Sequence, residues 1–147
     1  RADMINLTAY KEYWERLAKH VPLITGVLPV TVDEAMAKRI ATLKTGSVTL
    51  FVLPPAAESE GKNIDSFKEG NECVVFVMEK YDPQRREAWN VLESSQVVTE
   101  ELKLRMLDDL AAGCSLMRFD VSTLNTLPET QFFAGFAGWS VGFKIIT

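Results

Sequence analysis

The chain has 147 residues, of which 47% are hydrophobic and 24% charged, and its formal net charge is -4. This size and composition predict one globular domain and exclude a highly charged, disordered polypeptide. The net negative charge argues against direct nucleic-acid binding, which needs a dense field of Lys and Arg, and no run reaches the ~18 apolar residues of a membrane span.

The first element predicted from the sequence is an amphipathic helix near the N-terminus. From Thr8 to His20 apolar side chains recur every three to four positions, with charged residues between them. Asn6 or Thr8 can cap this helix, and Pro22 marks its end, because proline cannot continue a helical hydrogen-bond ladder. We expect its aromatic stripe to pack into the core.

A second, shorter helix is predicted after a turn. The stretch from Gly26 to Pro29 has turn-like composition. Thr31 and Glu34 then have the spacing of a capping box, in which the two side chains satisfy each other's backbone amides at a helix start. The apolar residues that follow continue at helical spacing, and we expect the helix to end before Gly46.

Two apolar strands are predicted in the middle of the chain, with a long loop between them. Both faces of Ser47 to Leu53 are apolar, which predicts a central strand covered on both sides. Residues 54–72 contain two prolines, two glycines and seven charged residues, a composition typical of a loop. The run from Cys73 to Lys80 predicts a second strand, antiparallel to the first.

One long helix is predicted from Asp82 to Gly113. Asp82 is a suitable N-cap, Pro83 fits the first helical position, and Gly113 fits the position just past the end. An apolar stripe continues through the segment without a change of phase, which predicts a helix of about thirty residues, on the order of 45 Å long. A break between Ser94 and Val97, giving two helices, is the alternative.

The C-terminal segment predicts two more strands. Ser115 to Val121 has Met117, Phe119 and Val121 on one face, which predicts a strand with that face buried. A loop through Pro128 leads to a final strand with the sequence GWSVGFKI. In that strand Trp139 begins an inward-facing apolar row. We therefore predict an α+β fold: a mostly antiparallel sheet of about four strands packed against one long helix, with an N-terminal amphipathic helix.

The sequence contains no recognisable catalytic motif, and we predict neither a catalytic residue nor a cofactor or metal site. Its single histidine, His20, ends a predicted amphipathic helix, where a surface or capping role is expected. Cys73 and Cys114 are not at metal-ligand spacing, and we expect two buried free thiols in a cytoplasmic protein. Nucleotide-binding and hydrolase signatures are absent.

Charge and aromatic placement suggest candidate interaction residues. Basic residues outnumber acidic ones in residues 1–46, whereas acidic residues predominate in residues 55–112. Such an asymmetry suits a contact between two copies, although ordinary solvated surfaces also account for it. We predict a positive pair in the first turn of the long helix, an indole on the flank of its apolar stripe, and charged residues of the 54–72 loop as interaction residues. These are Arg85, Arg86, Trp89, Glu58, Glu60 and Lys62. The alternatives are burial of the indole in the core and an ordinary surface role for the positive pair.

The order of elements resembles that of the tail terminator, or tail completion, proteins of long-tailed bacteriophages and related prophages. The resemblance covers about residues 7–147 and rests on the strand ending in Pro54-Pro55, the polar loop, the long helix and the final GWSVGFKI strand. It implies a non-enzymatic subunit that forms a homo-oligomeric ring, contacts tail-tube and head-connector proteins, and resides in the bacterial cytoplasm or the virion. It suggests the 55–70 loop and the sheet edge containing the last strand as interfaces.

Two other functional classes are compatible with the sequence. One is a module that binds a small molecule or peptide on the sheet face under the long helix. The other is an enzyme whose site is assembled from scattered residues, for which Glu79, Tyr81, Asp82 and Arg85 are the candidates.

Overall fold

The computed structural model describes residues 4–31, 34–60, 68–114, 116–131 and 134–146. This part of the chain contains three helices and six strands. The helices are α1 (Leu7–Ala18), α2 (Glu34–Ala41) and α3 (Ala88–Ala111). The strands are β1 (Ile24–Pro29), β2 (Val48–Val52), β3 (Ala56–Glu60), β4 (Lys68–Lys80), β5 (Phe119–Glu129) and β6 (Phe136–Ile146).

The six strands form one sheet with the order β1-β2-β4-β6-β5, and β3 pairs with β4 beside the end of β2. β1 and β2 are parallel, and the other described pairs are antiparallel. The predicted α+β class, the mostly antiparallel sheet and the single long helix are therefore confirmed. The number of strands is six rather than about four.

The predicted turn from Gly26 to Pro29 is wrong, because these residues belong to strand β1. Gly26 and Pro29 are both rare inside strands, which obscured the signal in the sequence. The sheet tolerates them here because β1 is an edge strand, and Pro29 is its last residue. Helix α2 provides the crossover that two parallel strands require.

The predicted loop over residues 54–72 is also wrong for residues 56–60 and 68–72, which belong to strands, whereas residues 54–55 are outside strands as predicted. All five residues of β2 are buried, as expected for a central strand. After Pro54-Pro55 the chain resumes pairing along β4, with Ala56 opposite Glu72 and Glu60 opposite Lys68. The prolines lack an N–H and so interrupt the ladder between β2 and β3. Residues 61–67 lie outside the described part.

Helix α1 agrees with its prediction, since the side chain of Asn6 accepts a hydrogen bond from the Ala9 amide at 2.9 Å. Helix α2 also lies in its predicted range, but the side chain of Glu34, which the capping box with Thr31 requires, is outside the described part. The helix was predicted to end before Gly46, and it ends at Ala41. Gly46 has a φ of 87°, a conformation that glycine adopts at little cost.

Helix α3 is continuous but shorter than predicted. It begins at Ala88 and has 24 residues, so the alternative of a break near Ser94 is wrong. The carboxylate of Asp82 caps a separate turn by accepting from the Gln84 amide at 3.0 Å, and so it does not cap the helix. Gly113 follows the helix with a φ of 79°, as predicted.

Strand β5 extends through the predicted loop to Glu129. Its pairing with β6 is irregular between Asp120 and Asn125, where the extra residues on β5 bulge from the ladder. Val121, predicted to face the core, is exposed in this irregular segment. Because β5 covers one side of β6 and β4 covers the other, the last strand is internal, and the predicted free edge at that strand is wrong.

The helices lie on two faces of the sheet. α1 packs against β1 and β2, and α3 packs against β4 and β6, on the face that carries the larger core cluster. Ile40 of α2 packs against the second cluster on the other face. The second cluster consists of Leu28, Phe51, Phe76, Met78 and Phe136.

Candidate functional site

A concave apolar surface lies between the N-terminal half of α3 and the β5–β6 pair. It encloses about 350 Å³ and is here called the tryptophan groove. Its lining residues are Trp89, Leu92, Glu93, Gln96, Pro128 and Trp139. Two indoles, a leucine and a proline around one hollow provide a surface that binds apolar side chains, with Glu93 and Gln96 as the polar residues of its lining.

One wall of the groove is held in place by sheet pairing and by one side-chain hydrogen bond. Trp139 on β6 lies directly opposite Pro128 on β5. The indole N–H of Trp139 donates to the main-chain carbonyl of Leu92 at 2.9 Å, which connects β6 to α3. Because its polar atom is satisfied by the protein, Trp139 contributes mainly its apolar ring to other contacts.

The opposite wall is an exposed aromatic side chain. Trp89 is the second residue of α3, and 70% of its surface is accessible. Tryptophan is enriched at binding hot spots, because a large rigid ring buries much apolar area at a small cost in conformational entropy. Trp89 is therefore on the surface, and the alternative of its burial in the core is wrong.

The chain entering α3 is held by a buried ionic contact. Glu79 on β4 has a side chain that is 8% exposed, and it forms a salt bridge with Arg86. The Ser94 hydroxyl donates to the other carboxylate oxygen of Glu79 at 2.7 Å. Arg86 also donates to the Ser94 hydroxyl at 3.2 Å and to the Asn90 carbonyl at 3.4 Å. These contacts fix the start of α3, and with it the position of Trp89.

The predicted positive pair has a different location and role from those expected. Arg85 and Arg86 precede α3 and lie in the turn after Asp82, so their predicted placement in the first helical turn is wrong. Arg85 is exposed and lies 3.7 Å from the Asp82 carboxylate. Arg86 is used internally by Glu79. Of the proposed enzyme residues, Glu79, Asp82 and Arg85 are thus engaged in ion pairs within the protein.

The remaining predicted interaction residues are distant from the groove in the sheet order. Glu58 and Glu60 are on β3, the strand beside β4 and away from β5. Their side chains and the whole of Lys62 lie outside the described part of the structure. The structure therefore brings Trp89 into a candidate site and does not place the other five predicted residues there.

A smaller polar cavity of about 230 Å³ lies at the C-terminal ends of α1 and α3. The Tyr13 hydroxyl donates to the Asp109 carboxylate at 2.6 Å. Burial, reinforced by this bond, raises the pKa of Tyr13 well above its usual value. His20 and Cys114 also line the cavity, but no cluster of at least three metal-ligating side chains suited to an ion occurs among the described residues.

The two cysteines differ in their environment. Both are free thiols; Cys73 is buried in β4, whereas Cys114 is half-buried after α3. The expectation of two buried thiols is therefore confirmed for Cys73 and wrong for Cys114, which borders the polar cavity. Burial raises the pKa of the Cys73 thiol to about 11, so this sulfur is uncharged at neutral pH.

Sequence reasoning found one wall of the tryptophan groove and missed the other. Trp139 was predicted to belong to the core, but it is half-buried at the end of the inward-facing row. Pro128 was predicted to be in a loop. Pro128 and Trp139 are opposite each other because of the β5–β6 register. That register cannot be derived from the alternation of apolar residues, because the pairing is irregular between Asp120 and Asn125.

No known family model matches the chain, and a search of curated proteins finds no significant sequence match. Among the described helices, none combines the length and apolarity that crossing a lipid bilayer demands.

Proposed function

We propose that this protein is a non-enzymatic structural subunit that associates with copies of itself, forming a ring of the kind made by phage tail terminators. The tryptophan groove is the observation on which the proposal rests. In this proposal the ring contacts a tail tube on one side and a head connector on the other, as the resemblance of the element order implies.

The exposure of Trp89 supports an interface at the groove. A tryptophan with 70% of its surface in water leaves a large apolar area hydrated, on a helix whose start is fixed by the Arg86–Glu79 pair. Rigid exposed aromatic residues beside a pocket are typical of contact sites, because little order has to be created on binding. Leu92 and Pro128 extend the apolar surface beneath the indole.

The sheet edges give a second reason to expect self-association. β1 and β5 are the outermost strands of the sheet order, and each has a described neighbour on one side. Unpaired strand edges favour contacts with other chains, and a protein that assembles in an ordered way uses such surfaces in a defined geometry. A contact between different surfaces of identical subunits generates a ring when its rotation closes.

A binding module is the second candidate function, and the shape of the groove favours it. A hollow of about 350 Å³ lined by two indoles falls at the lower end of the size range of small-molecule sites. Aromatic-lined grooves also bind extended proline-rich peptides. In this alternative the groove receives an apolar ligand or peptide rather than another subunit.

Sedimentation velocity over a wide concentration range tests the proposal. We expect the wild-type protein to show species larger than the monomer at high concentration, and we expect Trp89→Ala to reduce them. Val97→Ala is the matched control, because Val97 is also an exposed apolar residue of α3 but does not line the groove.

Electron microscopy of the assembled fraction then distinguishes closed rings from other oligomers. A wild-type protein that stays monomeric at millimolar concentration and retains no tail-tube protein in a pull-down contradicts the proposal. Binding of an apolar ligand to the monomer, lost in Trp89→Ala and retained in Val97→Ala, would then favour the binding module.

A further inference from the structure

A second concave surface lies at the edge of the sheet opposite the tryptophan groove. It lies between α1 and β1, and its lining includes Lys19, Thr25 and Gly26. Beside it, in the turn that enters β1, Leu23 is 59% exposed. This region, consisting of Lys19, Leu23 and the outer side of β1, is here called the β1 edge.

We infer that the tryptophan groove of one subunit receives the β1 edge of the next, with the Leu23 side chain inserted beside Trp89. The inference rests on the proposed self-association and specifies its two surfaces. It is a heterologous contact, in which each subunit contributes a different surface to each of two neighbours.

The positions of the two surfaces favour a head-to-tail arrangement. β1 is the first strand of the sheet order and β5 the last, so three strands lie between them. Helix α1 packs on the sheet at β1, and α3 packs at β6 and β4. A subunit with complementary surfaces at opposite edges can bind one neighbour at each edge, and such a contact leads to a closed ring or to a chain.

Charge complementarity supports the same pairing. Helix α3 carries five acidic residues, Glu93, Glu100, Glu101, Asp108 and Asp109, against two basic ones, Lys103 and Arg105. Of the acidic residues of α3, Glu93 is the one in the groove lining, and its charge favours a basic partner over a second groove, because like charges across an interface are repelled.

The β1 edge has the opposite tendency. Lys19 lines its concave surface, accompanied by one acidic residue, Glu15. Lys38 and Arg39, in the last turn of α2, are exposed. Helix α2 follows β1 in the chain, and its Ile40 packs against the cluster that contains Leu28 of β1. Lys44, shortly after α2, is also exposed. Lys19, Lys38, Arg39 and Lys44 are thus basic residues on described segments that directly precede or follow β1 in the chain.

Leu23 is suited to the apolar part of the contact. It precedes Ile24, the first residue of the edge strand, so the backbone that presents it is held by pairing of β1 with β2. A single exposed leucine is ordinary on a protein surface. Leu23 follows Lys19 in the chain and precedes an edge strand that has one neighbour among the described strands, and this position matches a groove with an apolar lining and one acidic residue, Glu93.

Mixing two interface variants tests the inference. Trp89→Glu removes the groove surface and leaves the β1 edge intact, and Leu23→Glu does the reverse. We expect each variant alone to be monomeric in sedimentation velocity. An equimolar mixture should form a species of twice the monomer mass and nothing larger, because one intact groove then meets one intact β1 edge.

Leu127→Glu is the matched control. Leu127 is exposed on β5, but it lies opposite Ser140 on the sheet face away from the groove. This variant should associate like the wild type. Circular dichroism melting curves establish that all three variants are folded, as expected for substitutions at exposed positions.

The outcomes separate the inference from the proposed function. If the wild type associates and Leu23→Glu associates equally well, the β1 edge is not the partner surface, although self-association stands. If both variants are monomeric and their mixture also remains monomeric, a head-to-tail contact between these surfaces is refuted. If the wild type never associates, both the proposed function and the inference fail.

Discussion

The indole nitrogen of Trp139 lies 2.9 Å from the carbonyl oxygen of Leu92, so a residue of the last strand donates a hydrogen bond to the long helix. The bond joins two residues that are 47 positions apart in the chain. It also orients the wall of the tryptophan groove, which means that stability and surface shape depend on the same side chain.

Two substitutions of Trp139 should lower the free energy of unfolding by different amounts, because they remove different contacts. Trp139→Phe keeps an aromatic ring and loses the hydrogen bond, at an expected cost of about 1 kcal/mol. Trp139→Ala also loses the ring, and because the residue is half-buried we expect a total of about 2–3 kcal/mol. Urea denaturation measures both. Trp89→Ala is the control and should change stability by less than about 0.5 kcal/mol, since Trp89 is exposed. Equal losses for Trp89→Ala and Trp139→Ala would contradict this assignment.

Removal of Arg86 should destabilise the protein, because it leaves the carboxylate of Glu79 buried without its cation. We expect Arg86→Ala to cost about 1–3 kcal/mol, reduced from the value of a fully buried pair because the Arg86 side chain is 38% exposed. Arg85→Ala should cost less than about 0.5 kcal/mol, since that pair with Asp82 is on the surface. Adding Glu79→Gln to Arg86→Ala should recover part of the loss. A double variant less stable than Arg86→Ala would show that the charge of Glu79 is not the cause.

Gly138 should be the least replaceable glycine of the sheet. A Cβ at this position would lie 1.9 Å from the main-chain oxygen of Val77 on the neighbouring strand. Because a backbone cannot move aside as a side chain can, we expect Gly138→Ala to cost about 3 kcal/mol or more, or to prevent folding. Gly26→Ala is the matched control on β1, where a Cβ meets nothing within 4 Å. Thermal melting of the two variants measures the difference, and similar melting temperatures would contradict the close approach.

Stability should fall at alkaline pH partly because of Cys73. Its thiol has a pKa of about 11 in the folded protein, against an ordinary value of 9.0. Between these values the unfolded chain releases a proton that the folded protein retains, so unfolding becomes more favourable as the pH rises. The loss approaches about 1.4 kcal/mol per pH unit for one group.

Cys73→Val removes this titration and keeps a buried apolar side chain of similar size. Chemical denaturation at pH 7 and at about pH 10.5 should show a smaller decline for Cys73→Val than for the wild type. The pH 7 measurement serves as the reference for any packing effect of valine. An identical decline in both proteins would exclude Cys73 as a contributor to the pH dependence.

Several features of the fold could be predicted because they depend on local pattern. Helix α1 with its Asn6 cap and the core of α3 follow from apolar residues at helical spacing, and the all-buried strand β2 follows from a short apolar run. The end of α3 at Gly113 follows from the conformational freedom of glycine. Each of these signals lies within one element and needs no knowledge of its partners.

The features that were missed depend on partners distant in the chain. β3 has a polar sequence that forms a strand because β4 provides its hydrogen-bond partners. Arg86 precedes α3 and pairs with Glu79 on β4, and the half-buried Trp139 donates to Leu92 of α3 and lies opposite Pro128 of β5. These positions are set by contacts, and local propensity is too weak to reveal them.

By itself, the amino-acid sequence determined the α+β class, the long helix and the burial of the central strand, because period and composition act over a few neighbouring residues. Only the tertiary structure decided which strands are at the edges and which aromatic residues share a surface. Those properties depend on pairing register between residues far apart in the chain, and a shift of one position turns every side chain of a strand to the opposite face. That register is what places Trp139 beside Pro128 and forms the groove with Trp89.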